Sequence, residues 1–202
     1  PMWGLRNALA YLLRDKFSFR GAIISGKDEE ISMAEVFTDF CQRSEHITVD
    51  ELKQFASELN TVIYWDSVYS EMVRVNQNEF VRKDQIHFDV EHTDSVLENL
   101  IQSVYIPIKT INLFLHFPAI DVPWNNFVLE SYVAHYSKKF RLLHASFTAT
   151  DCCGAMVRQD SGISDYRTLI VDVLAKNTGW KNKKDALQLL VDLGYQQRRS
   201  YS

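Results

Sequence analysis

Apolar residues in the first sixty positions recur with helical spacing. Leu5, Leu9, Leu12 and Leu13 share one stripe and predict an amphipathic helix over residues 3–15. The run Phe17–Ile24 has β character, and Gly26-Lys27-Asp28 supplies a turn after it. Ser32 with Glu35 three residues on is a helix-start signal, in which a hydroxyl and a carboxylate satisfy each other's backbone donors. The helix it opens runs to about Arg43, with Val36, Phe37 and Phe40 inward. A short turn follows. Thr48 and Glu51 then repeat the signal ahead of a helix with Leu52, Phe55, Ala56 and Leu59 on its apolar face and Asn60 as its stop.

From Val62 the period changes. Trp65–Tyr69 reads as a short helical turn in preference to extended chain. Met72–Val75 and Phe80–Arg82 read as two strands around the polar tip Asn76-Gln77-Asn78, and Gln85–Val90 as a further β-like run. In the second half, Asp94 is expected to open a helix through Tyr105, and Pro107 another to about Phe117. Pro118 and Pro123 mark a turn-rich connection before a helix over Trp124–Tyr136. Phe140–Phe147 is the strongest strand pattern, pairing with Gly154–Arg158 across a polar tip. Ser164 caps a helix to about Lys176, and Lys183–Leu193 forms the last one, closed by Gly194. No stretch of sequence repeats, yet helices followed by a hairpin recur. Two related modules are therefore expected, residues 1–92 and 93–202, joined near 90–106. Trp65, Phe117 and Trp124 sit beside element boundaries and are expected to lock the modules together.

The order over residues 3–90 is helix, short strand, helix, helix, strand, polar tip, strand. It resembles the winged helix-turn-helix superfamily, where a three-helix core is followed by a β-hairpin wing. The resemblance rests on element order, not on a sequence motif. It implies that the helix Thr48–Leu59 holds the place from which DNA-binding members read the major groove. The expected fold class is mainly α with short antiparallel β-hairpins (α+β), as two winged-helix-like modules packed together.

Composition fits a packed core: 46% of the 202 residues are hydrophobic, and only seven glycines and four prolines leave little for flexible linkers. No apolar run approaches the roughly 18–20 residues that span a bilayer; Lys109, Asn112 and His116 interrupt the longest, Ile106–Ile120. Pro1-Met2-Trp3 lacks a charged segment before an apolar block, so no secretory signal is expected. Pro1 ahead of Met2 reads as a scar of tag removal. Cys41, Cys152 and Cys153 form no disulfide framework and read as reduced thiols of an intracellular protein, in cytoplasm or nucleoid/nucleus.

Charge changes the picture most. Residues 28–100 carry 17 Asp/Glu against 5 Lys/Arg, a net of −12, whereas 101–202 carry 8 against 12. Such segregation bears on partners. The outward side of Thr48–Leu59, with Asp50, Glu51 and Glu58, would repel phosphates and suits a protein partner. The second half offers Lys138, Lys139, Arg141, Lys181, Lys183, Lys184, Arg198 and Arg199 around Trp180, cations interleaved with an aromatic as on phosphate-tracking surfaces.

Two weaker constellations carry chemistry. His87, Asp89 and Glu91 alternate, so on a strand they would share one face near a hard cation, although a solvated strand edge is the preferred reading. Cys152, Cys153 and His144 lack the spacing of structural zinc. Phosphate-loop, dinucleotide and nucleophile-elbow motifs are absent. No cofactor is expected. The leading expectation is a non-enzymatic nucleic-acid-binding module, with DNA as the expected ligand, within a larger protein or assembly. A protein-interaction module comes second and a metal-dependent hydrolase third.

Overall fold

The computed structural model describes residues 2–20, 23–26, 32–143, 152 and 154–196. Its first elements are α1 (Met2–Leu13) and a hairpin of β1 (Phe17–Arg20) with β2 (Ile23–Gly26), Phe17 opposite Gly26. The single β-like run of the sequence is thus two strands, because Ile23–Gly26 folds back on Phe17–Arg20.

Next come α2 (Met33–Gln42), β3 (His46–Thr48), α3 (Val49–Glu58), α4 (Trp65–Glu71), β4 (Met72–Arg74) and β5 (Glu79–Arg82). The Ser32 hydroxyl accepts the Glu35 N–H at the start of α2. At α3 the box is complete: the Thr48 hydroxyl accepts the Glu51 N–H at 3.2 Å, and the Glu51 carboxylate accepts the Thr48 N–H at 2.7 Å. Asn60 ends this segment with φ of 51°, the left-handed turn that asparagine tolerates. The expected short turn spans residues 43–45, and strand β3, which was not expected, follows it. Three residues are too few for an alternating pattern, and the strand exists because β5 offers Phe80 opposite Ile47. The antiparallel sheet has the order β3-β5-β4. Phe37, Leu52, Val68, Tyr69 and Phe80 fill the core beneath it.

The Thr48 cap gives a local prediction. Thr48→Ala should cost about 1 kcal/mol of stability, read by urea denaturation. The bonds from Thr48 hold the Glu51 carboxyl below the ordinary carboxylate range. A carboxyl depressed in the folded state stabilises above its unfolded pKa, and that contribution is lost as pH falls through the folded one. The gap between wild type and variant should therefore narrow on acidification; a gap that widens would contradict the box.

The second half repeats the scheme with α5 (Val90–Leu100), β6 (Tyr105–Pro107), two 3-10 turns (Ile108–Thr110 and Phe114–His116), α6 (Asn126–His135), β7 (Phe140–Leu143) and β8 (Ala155–Arg158). The first strand again pairs with the last, giving the order β6-β8-β7, equivalent to β3-β5-β4. The 3-10 turns stand where the first half has α3. Three sequence expectations change here. Asp89, not Asp94, caps α5 by accepting the His92 N–H at 3.0 Å, so α5 opens inside the expected first module. Tyr105 ends no helix; it opens β6 opposite Val157. The helix from Pro107 does not form, because the Asn126 side-chain amide takes the Ile108 and Ile111 carbonyls at 2.8 and 2.9 Å.

Two more helices, α7 (Tyr166–Lys176) and α8 (Lys183–Asp192), cover the outer face of this sheet. Asp165 rather than Ser164 caps α7. Successive residues of β8 point to opposite faces: Met156 joins the core with α5 and α6, whereas Ala155 and Val157 meet Leu169, Val173 and Leu190. Gly194 follows α8 with φ of +86°. The α+β class expected from sequence holds, as eight α-helices and three small antiparallel sheets among the described residues.

The halves meet where β4 packs on α6. The Arg74 N–H donates to the Ser131 hydroxyl at 3.0 Å, and the Asn125 amide donates to the Val75 carbonyl at 2.7 Å. The Arg74 side chain is fully buried. Its guanidinium donates to the carbonyls of Asn76 and Gln77 and to the Tyr69 hydroxyl, and lies 4.4 Å from the Phe127 ring centroid. The expected aromatic lock is not what joins them. Trp65 packs in the first core, and Phe117 with Trp124 in the second.

Candidate interaction surfaces

Only seven residues long, α4 is the last helix before the β4–β5 hairpin. The helix next to the hairpin is therefore α4, not the Thr48–Leu59 helix. Helix α4 buries Ser67, Val68 and Tyr69 and exposes Asp66 and Ser70. Its counterpart α6 buries every residue from Val128 to Val133, against β4 and its own core. Helices so placed present an acidic edge in one case and no free face in the other.

The acidic candidates on α3 separate. Asp50 pairs with Lys53 at 2.8 Å. Glu51 and Glu58 both line a groove between α2 and α3, whose floor is Phe40 stacked on Phe55, ring centroids 4.0 Å apart and planes 12° from parallel. Glu58 accepts a hydrogen bond from the neutral Gln54 amide at 3.0 Å. Among the described residues neither Glu51 nor Glu58 is in an ion pair. Nothing in the sequence marks this aromatic floor, because Phe40 and Phe55 both fit their helices as ordinary core positions.

Several basic candidates are already engaged. Lys139 ion-pairs with Glu98, and the same carboxylate lies 3.7 Å from the Arg158 guanidinium. Arg141 donates to the Ile163 carbonyl. The N–H groups of Lys138 and Lys139 converge on Asp94, while the Lys138 ammonium projects to solvent from an exposed residue. The remaining basic group lies around the start of α8. Lys181, Lys183 and Lys184 are exposed, with no ion pair among the described residues, and Trp180 is 42% exposed with its indole N–H on the Leu174 carbonyl. Three lysines at a helix start oppose its macrodipole; Asn182 and Asp185 offset this, each side chain accepting a backbone N–H there. The cleft beside Trp180 carries Asp185 and Asp192 and no lysine. Arg198 and Arg199 lie outside the described residues.

The alternating His87, Asp89 and Glu91 do not lie on a strand. A 3-10 turn (Lys83–Gln85) and an extended link precede α5, so Asp89 is a cap and Glu91 a first-turn helical residue. His87 turns to Asp121, whose carboxylate accepts its N–H at 2.8 Å and lies 3.2 Å from its ring, holding the Asp121 carboxyl below the ordinary range. Among the described residues no three His, Cys, Asp or Glu side chains converge as metal ligands. Cys41 and Cys152 are buried thiols, and the Cys152 thiol donates to the Asn126 carbonyl at 3.3 Å. Burial, with Glu71 nearby, pushes the Cys41 thiol up to about 12, which suppresses the reactive thiolate. Cys153 and His144 lie outside the described residues. No described helix is long and apolar enough to cross a membrane.

Compared with known protein families, curated proteins and solved structures, the chain matches none.

Proposed function

We propose that this chain is a non-enzymatic protein-docking module made of two winged-helix-like units, with the acidic first unit as its docking side. The element order helix, strand, helix, helix, hairpin and the sheet order β3-β5-β4 support the winged-helix reading. One observation carries the choice of partner: α6 is buried against β4, and α4 exposes Asp66. Duplex affinity comes chiefly from neutralising phosphates, which neither helix is placed to do. A fold of this type hosts both roles, so the surface decides.

DNA binding is the second reading, favoured by the exposed Trp180, Lys181, Lys183 and Lys184. Fluorescence anisotropy with labelled duplex and single-stranded DNA, from about 50 to 200 mM salt, separates the two. The docking reading expects no tight, steeply salt-dependent binding, and expects captured proteins to be lost on charge reversal of Asp50 and Glu58 but retained after nuclease. Submicromolar, salt-steep DNA binding abolished by Lys183→Glu with Lys184→Glu would replace docking with the second reading.

A further inference from the structure

The Phe40–Phe55 groove combines features that the rest of the acidic face does not. Its floor is apolar: the two stacked rings are partly buried, and Ile47, 1% exposed, closes the base. Its rim holds the carboxylates of Glu51 and Glu58, and no Lys or Arg lines it. Its volume, about 320 Å³, suits one bulky side chain. The nearest lysine on α3, Lys53, is engaged with Asp50.

From this we infer that the groove receives a basic amphipathic segment of a partner protein. One large apolar side chain seats on Phe40 and Phe55, and flanking Lys or Arg side chains meet Glu51 and Glu58. The inference rests on the docking reading above and names the surface and partner chemistry for it. Charge complementarity chooses the occupant. Nucleic acid would bring phosphates against two carboxylates within a region of net charge −12, whereas a basic segment is attracted by both. An apolar anchor in a pocket ringed by polar groups is also how helix-in-groove recognition concentrates its affinity.

The test uses the full chain and a synthetic amphipathic lysine–leucine helix bearing one central tryptophan. Its controls are a peptide with that tryptophan changed to alanine and an oligolysine. Backbone amide shifts should move at Phe40, His46, Gln54, Phe55 and Glu58. Glu58→Lys should weaken the peptide about tenfold and leave the fold intact, since a cation in the last turn of α3 suits the helix dipole. The alanine peptide should lose a similar factor, oligolysine should bind much more weakly, and Lys183→Glu should change nothing. If the peptide binds but shifts map to α8, or Glu58→Lys has no effect, the groove is overturned while protein docking stands. Salt-sensitive self-association abolished by Glu58→Lys would make the occupant a second copy and overturn the partner segment. Absence of peptide binding together with tight DNA binding would overturn the docking reading itself.

Discussion

Arg74→Ala is expected to be the most damaging single substitution in the chain, lowering stability by about 3–5 kcal/mol. The guanidinium is fully buried between the halves, and its acceptors include the carbonyls of Asn76 and Gln77 and the Tyr69 hydroxyl. Alanine strips these acceptors of that donor and leaves a cavity beside Phe127 and Phe80. It also removes a cation from a site where Glu130 is 2% exposed; the charges of both residues act on the Tyr69 hydroxyl, whose proton burial already holds on more tightly. Lysine should rescue little, because a point charge cannot serve diverging acceptors as a fork does. Thermal and urea unfolding check this: the midpoint should drop by roughly 10 °C. A loss below 1 kcal/mol would mean that the buried arginine is not what couples the two halves.

Asp94→Ala should follow closely, at about 3–4 kcal/mol, from the loss of several charge-assisted hydrogen bonds. Asp94 is 2% exposed and ties α5 to the end of α6. One oxygen accepts the hydroxyls of Tyr132 at 2.9 Å and Ser137 at 2.6 Å, the other the N–H groups of Lys138 at 2.8 Å and Lys139 at 3.2 Å. Asp94→Asn should cost about half as much, because its carbonyl can still accept the two N–H groups while the hydroxyls rotate to receive its amide. Equal losses for the two variants in urea denaturation would show that the net charge, not the geometry of acceptors, matters at this site.

Sequence marked these residues unequally. Glu130 and Ser131 inside the otherwise apolar run Phe127–Val133 were a readable sign that α6 buries polar contacts, and Ser131 receives Arg74. Asp94 misled because an Asp ahead of an apolar stretch looks like a cap. Only the convergence of donors 38 to 45 residues further along the chain makes it a buried hub. The alternation His87-Phe88-Asp89-Val90-Glu91 has the period of a strand, yet no neighbouring strand offers a ladder there, and the Asp89 carboxylate starts a helix instead. Among the basic residues, too, spacing cannot reveal that Glu98 lies beside Lys139 and Arg158.

Local signals by themselves determined where most elements begin and end. The Ser32 and Thr48 caps, the polar tip at Asn76–Asn78 and Gly194 depend on neighbours within a few residues, so they can be read from spacing. The segregation of charge is likewise a property of the chain alone. Tertiary structure decided the three-residue strands β3 and β6, which exist because β5 and β8 supply partners, and the replacement of a helix after Pro107 by 3-10 turns under Asn126. It also decided which charges remain available at the surface, because ion pairing and burial depend on distances between residues far apart in sequence, and periodicity does not encode those distances.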